Sequence, residues 1–167
     1  MKYFLVGMPA SGKSSLAKMI SKEINIQFID LDKEIEAIEK KSINELFNLK
    51  GEGYFRKIET EVLYSIIKSN NSFILATGGG TPCFNNNMKI INDNGVSIFL
   101  DVKISELENR LKNKKDRPLL NRYQDKGQIL KKMYDERKLF YQESNHTISE
   151  IKDQKKEILL IIRQLKS

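Results

Sequence analysis

The sequence predicts an α/β fold, a parallel sheet covered on both faces by helices. Two observations carry this. Short apolar runs alternate with segments of helical period along the whole chain. The length, 167 residues, suits one domain, which buries roughly two-thirds of its unfolded surface and needs no disulfide or metal to hold it.

Tyr3-Phe4-Leu5-Val6 is short and aromatic or branched, and Gly7 follows it, as expected of a buried strand. Leu16, Met19 and Ile20 then recur at helical spacing. Ile26-Gln27-Phe28-Ile29 reads as a second strand closed by Asp30, with Asp32 capping a short helix that carries Ile35 and Ile38. Ser42 is an N-cap for a helix over 43–49, and Glu45 completes a capping box. Phe55, Ile58, Val62, Leu63, Ile66 and Ile67 mark a long amphipathic helix. Phe73-Ile74-Leu75-Ala76 is the third strand. A helix over 85–93 and a fourth strand over 96–100 follow, then a helix bearing Leu107 and Leu111. Residues 112–126 are polar and basic with a proline inside, which reads as a mobile loop. Residues 125–141 are helical, and 146–149 form a short last strand. A closing helix carries Ile151, Ile158, Leu159, Ile162 and Leu165.

Composition removes several classes. With 40% hydrophobic and 31% charged residues, the chain is neither collagen-like nor disordered. Its one cysteine, Cys83, cannot form an internal disulfide, and its one histidine, His146, cannot complete a Cys/His zinc site. A reducing cytoplasm is the expected setting. The longest aliphatic run, 158–162, is far short of the roughly 20 residues that span a bilayer. The apolar start is short and runs into Gly7 and Lys13, so no cleaved leader is expected. The net charge of +7 favours anionic partners without choosing among them.

Gly7-Met8-Pro9-Ala10-Ser11-Gly12-Lys13-Ser14 fits G-x-x-x-x-G-K-[ST], with a strand entering and a helix leaving. The glycines let backbone N–H groups turn inward around a phosphate, and the helix N-terminus adds its positive end. Lys13 is placed to meet the β- and γ-phosphates of a nucleotide, and the Ser14 hydroxyl to ligate Mg²⁺. This motif indicates nucleoside triphosphate binding and leaves the reaction open.

Four further features narrow it. Asp30 and Asp32 leave a strand end on the same side, one suited to a metal and one to a substrate hydroxyl, or both simply to capping. Arg56 and Glu59 lie three apart on a helix and can touch, as many surface pairs do. Gly78, Gly79 and Gly80 directly follow a strand and let a small ligand approach the backbone. Arg117-Pro118-Leu119-Leu120 lies in the polar stretch, with Arg137 and Tyr141 beyond it; an arginine on a mobile loop can fold over a phosphate.

Together these residues resemble the shikimate kinase family. The resemblance rests on the phosphate loop, Asp30 and Asp32, the F-R-x-x-E at Phe55, Arg56 and Glu59, and the three glycines. The R-P-L-L at Arg117 and the E-R with a following Tyr at Glu136, Arg137 and Tyr141 complete it. It implies a three-layer α/β/α sandwich of the nucleoside monophosphate kinase type, with a five-stranded parallel sheet in the order 2-3-1-4-5. The whole chain, 1–167, would be one kinase domain, with substrate-binding helices over about 31–68 and a lid over about 112–126. The implied reaction moves the γ-phosphoryl group of ATP to the 3-hydroxyl of shikimate, with Mg²⁺ as cofactor. The implied partners are shikimate and ATP alone, with no nucleic acid and no membrane, and a monomer is expected.

By the same resemblance, Gly7, Ala10, Ser11, Gly12, Lys13, Ser14, Ser15, Arg110 and Arg117 hold ATP. Ser14 and Asp30 serve the metal. Asp32, Arg56, Gly78, Gly79, Gly80 and Arg137 hold the acceptor, the two arginines gripping its carboxylate. Lys13, Asp32 and Arg117 are the expected catalytic groups, and Glu59 orients Arg56. Two positions depart from the family, which commonly has Gly in place of Ala10 and Thr in place of Ser15. No adenine contact is assigned after Ser149. Cys83 is expected to be packing, and His146 to end a strand. The runner-up readings are a gluconate or nucleoside monophosphate kinase, or a phosphate-loop module that binds nucleic acid. The arginine pair and the glycines argue against the kinases. The chain lacks the aromatic-and-basic interleaving of single-strand binders.

Overall fold

In the computed structural model, residues 1–112, 126–149 and 153–165 are described. Five strands form one parallel sheet: β1 (Lys2–Val6), β2 (Gln27–Asp30), β3 (Phe73–Ala76), β4 (Val96–Leu100) and β5 (His146–Ile148). Their order is β2-β3-β1-β4-β5, as the resemblance implies. Tyr3 pairs with Ile74 on one side of β1 and with Val96 on the other.

The strand side chains alternate between two cores. Phe4, Val6, Ile29, Phe73, Leu75 and Phe99 join one, and Tyr3, Leu5, Ile74, Ala76, Ile98 and Leu100 the other. Helices α1 (Lys13–Ile24) and α7 (Gln154–Gln164) cover the second core. The first core is covered by α2 (Leu31–Glu39), α3 (Ile43–Ser69), α4 (Asn87–Asn94), α5 (Ile104–Lys112) and α6 (Lys126–Gln142). A central strand must be apolar on both faces to bury itself this way, and β1 from Tyr3 to Val6 is at most 1% exposed.

Several expectations change in detail. Asp30, not Asp32, caps α2: its carboxylate accepts from the Lys33 N–H at 3.3 Å. The helix starts directly at the end of β2 with no intervening loop, so the capping position falls on the strand's last residue. Asp32 sits inside the first turn. The two helices expected over 43–69 form one element broken at Gly51, whose backbone (φ 79, ψ 170) suits glycine. The Ser42–Glu45 capping box is present. A 3₁₀ turn, Thr81–Cys83, precedes α4 and has no sequence counterpart; with Asn85 and Asn86 at positive φ it delays the helix to Asn87. Met19, Ile38 and Leu165, expected on apolar faces, are exposed. His146 does lie at a strand end. The expected mobile loop, apart from its two end residues, and Ile151 lie outside the described residues.

Candidate active site

The strands' C-terminal ends gather the polar residues. The phosphate loop runs from β1 into α1 through three positive-φ residues, Gly7 (139), Ala10 (66) and Gly12 (102). A Cβ on Gly7 would lie 2.9 Å from the Leu100 carbonyl of neighbouring β4, so close strand packing also demands glycine there. Lys13 opens α1 and is buried. Its ammonium donates to the carbonyls of Gly7 (2.9 Å) and Met8 (2.8 Å) and reaches Ser11 Oγ at 3.4 Å. Arg110, from α5, lies against this loop: Nη1 donates to the carbonyls of Ala10 (3.3 Å) and Ser11 (3.0 Å), and Nε to Glu106 at 2.9 Å.

A cavity of about 630 Å³ opens over the loop. Its walls include Ala10, Gly12, Lys13, Ser14 and Ser15, together with Asp30 and Asp32 from β2 and α2 and Gly79 from the glycine turn. Arg110 and Gln154 line it as well. The strand-end acids and the phosphate loop therefore share one space, as expected. The donors are all oxygens: the Ser14 hydroxyl and two carboxylates. That set suits Mg²⁺, which takes one or two protein carboxylates and keeps waters and phosphate oxygens for the rest.

The three glycines after β3 are each pressed by a different neighbour. A Cβ on Gly78 would lie 2.9 Å from Asp32 Oδ1 and 3.0 Å from Glu59 Oε1. On Gly79 it would lie 2.7 Å from the Pro9 ring, and on Gly80 2.6 Å from Arg56 Nη2. This turn is the seam where the phosphate loop, the strand-end acid and Arg56 meet.

Arg56 is held on several sides. Nη1 donates to Glu59 at 2.8 Å, while Nε and Nη2 both reach Glu52, at 3.2 and 3.1 Å. Its guanidinium carbon lies 4.2 Å from the Phe84 ring centroid and 5.1 Å from that of Phe55. The Arg56 and Glu59 side chains are 12% and 1% exposed, so this is no ordinary surface pair. Glu59 also accepts from Thr81 Oγ1 at 2.6 Å. Arg137, on α6, shares the neighbourhood. Burial pushes the Cys83 thiol up to about 11, and the charges of Arg137 and Arg56 oppose that rise. The same two arginines act on the buried Tyr141 phenol, which burial also pushes up. Cys83 is packing at this seam, and at neutral pH it is a thiol.

Arg117 lies outside the described residues. Of the other expected site residues, Ala10, Gly12, Lys13, Ser14, Ser15, Asp30, Asp32, Gly79 and Arg110 line the cavity. Arg56, Gly78 and Gly80 lie at the turn beside it. Gly7 and Ser11 belong to the phosphate loop without lining the cavity, and Arg137 is placed by its charge on Cys83 and Tyr141. Three participants escaped the sequence. Glu52 would have shown itself as an acid four residues before Arg56 on a helix. Thr81 and Gln154 carry no such signal. Gln154 is 6% exposed, and its Nε2 has no hydrogen-bond partner among the described residues.

The shikimate kinase family model matches residues 9–166. A shikimate kinase of Flavobacterium psychrophilum is 41% identical over 151 residues, 88% of each chain. The crystal structure of the Bacteroides thetaiotaomicron shikimate kinase superposes with a TM-score of 0.89 at 31% identity, over 99% of this chain and 97% of that one. A shikimate kinase from Acinetobacter baumannii, solved in complex with shikimate, superposes with a TM-score of 0.88 at 28% identity, over 98% and 91%. Likeness in sequence and in sheet order extends well beyond the phosphate loop that many folds share. The chain belongs to the shikimate kinase family.

Proposed function

We propose that the chain transfers the γ-phosphoryl group of ATP to the 3-hydroxyl of shikimate, giving shikimate 3-phosphate and ADP. Besides the family, one observation carries this reading: the phosphate loop and a braced, largely buried arginine meet across the turn at residues 78–80. An acceptor bearing both a carboxylate and a hydroxyl can span that seam. Its acid would face Arg56 and Arg137, and its hydroxyl the cavity that holds Lys13 and Asp32.

The residues divide the work as follows. Residues 7 and 10–15 cradle the phosphates, with Arg110 against the loop. Lys13 exchanges its carbonyl contacts for β- and γ-phosphate oxygens and offsets their charge. Asp32 accepts the hydrogen bond of the attacking hydroxyl and takes its proton as the new P–O bond forms and the bond to ADP breaks. Ser14 and Asp30 would hold Mg²⁺, which supplies charge neutralisation between phosphates when bound. Arg56 and Arg137 grip the carboxylate with planar forks, and Gly79 and Gly80 present backbone donors. Arg117 serves the transferring phosphoryl. Gln154 belongs on the nucleotide side, where its unpaired amide can meet a base or ribose.

The chain would act as one kinase domain, with α2 and α3 carrying substrate. Among the described residues no helix is long and apolar enough to cross a membrane. A coupled ADP-release assay decides the reading. Shikimate should elicit ADP, and gluconate and nucleoside monophosphates should not. Turnover of gluconate at the rate of shikimate would reject it.

A further inference from the structure

Tyr141 is wholly buried at the seam, yet nothing above gives it a task. Its ring stacks at a tilt on Phe99, centroids 5.1 Å apart, and its oxygen lies 3.8 Å from Met8 Sδ in the phosphate loop. The hydroxyl donates to the Gly79 carbonyl at 2.5 Å, across 62 residues of sequence. Arg137, one turn earlier on the same helix, brings its guanidinium charge to bear on that phenol. One buried hydroxyl of α6 thus anchors the backbone of the glycine turn within reach of the Arg137 charge.

The Gly79 carbonyl and the Gly80 N–H belong to one peptide unit. That unit is planar, and no described peptide bond is cis. Holding the carbonyl toward Tyr141 therefore aims the Gly80 N–H the opposite way. Glycine on both sides of the bond leaves this plane otherwise easy to rotate. The turn needs an external anchor if its donors are to keep one direction.

We propose that Tyr141 is a positioning residue for the acceptor substrate, its hydroxyl fixing the Gly79–Gly80 peptide and the Arg137 guanidinium toward the same molecule. This rests on the reading that Gly80 and Arg137 bind that molecule. The effect belongs to acceptor binding, because the ring alone carries the packing on Phe99.

Tyr141→Phe removes the hydroxyl and keeps the ring, so the protein still folds. The expected result is a shikimate KM raised roughly threefold to tenfold, the worth of one to two buried hydrogen bonds. The ATP KM should stay within about twofold and the melting temperature within a few degrees. Arg137→Lys should raise the shikimate KM on its own. The double variant should lose less than the product of the two singles, since both act through one contact. A Tyr141→Phe protein that melts lower with an unchanged shikimate KM, or whose two KM values rise together, overturns the proposal and leaves Tyr141 as packing. Multiplicative losses in the double variant overturn the link to Arg137. An Arg137→Lys protein with wild-type shikimate KM overturns the site reading itself, and the proposal with it.

Discussion

The two halves of the site are built differently. The proposed nucleotide half centres on a contiguous loop: Gly7 and Gly12 lie between β1 and α1, Lys13 opens α1, and the Lys13 hydrogen bonds to Gly7, Met8 and Ser11 span six residues or fewer, with Arg110 bracing the loop from α5. The acceptor half is assembled from α3, the turn after β3, and α6. Its hydrogen bonds join residues 22 and 62 positions apart. A local loop keeps its geometry through backbone dihedrals. An assembled site keeps its geometry only while several elements stay packed. Damage to the first should therefore remove chemistry at one residue, and damage to the second should weaken binding in graded steps.

The largest effect is expected in the local half. Lys13→Met leaves the loop glycines in place and removes the buried ammonium. Turnover should fall below detection in the coupled assay, while shikimate binding measured by calorimetry without nucleotide should persist. Full activity in this variant would dissolve the contrast.

Next comes the assembled half. Arg56→Lys keeps the charge and loses the fork that reaches Glu52 and Glu59 and, in the proposed reading, the acceptor. It should cost roughly 2–5 kcal/mol in kcat/KM for shikimate, the range for truncating a desolvated charged contact, with ATP binding unchanged. A shikimate analogue reduced from acid to alcohol should be rejected as strongly by the wild type, because the charge-assisted contact to both arginines would then be lost. Equal turnover of acid and alcohol would show that the arginines serve structure alone.

The smallest effect sharpens the local half. Ala10 adopts φ 66, a left-handed conformation that a side chain disfavours by about 1–2 kcal/mol. Ala10→Gly relieves this strain but frees the unfolded chain, which costs about 0.5–1 kcal/mol. The net gain should be up to about 1 kcal/mol, a rise of roughly 2–4 °C in Tm by calorimetry for a chain of this size. A lower Tm would show that neighbours, not the loop's own dihedrals, hold residue 10.

Much of the molecule was legible before folding. The strands, the phosphate loop and the Ser42 capping box are written in nearest-neighbour patterns, because strand period and cap chemistry act over a few residues. Arg56 and Glu59 were legible as a pair for the same reason. Their meaning was not: a helix-surface pair and a buried, braced fork share one spacing, and only burial tells them apart. The meeting of Arg56 with Arg137 came from family resemblance, not from spacing.

Where local rules competed, tertiary structure chose. Local pattern pointed to Asp32 as the cap, but β2 runs straight into α2 and gives the cap to Asp30. The role of Gly78, Gly79 and Gly80 depended on what would press against them, and folding brought Asp32, Pro9 and Arg56 from three other elements. Gln154 and Tyr141 had no local signature. They stand out only in the fold, as a buried amide nitrogen without a partner among the described residues and as a hydroxyl bonded to the turn after β3. By itself the sequence determined the strands, most of the helices and the phosphate site, because backbone propensity and a glycine loop are short-range physics. The acceptor site was decided by packing, because its donors become neighbours only when the two cores close around the sheet.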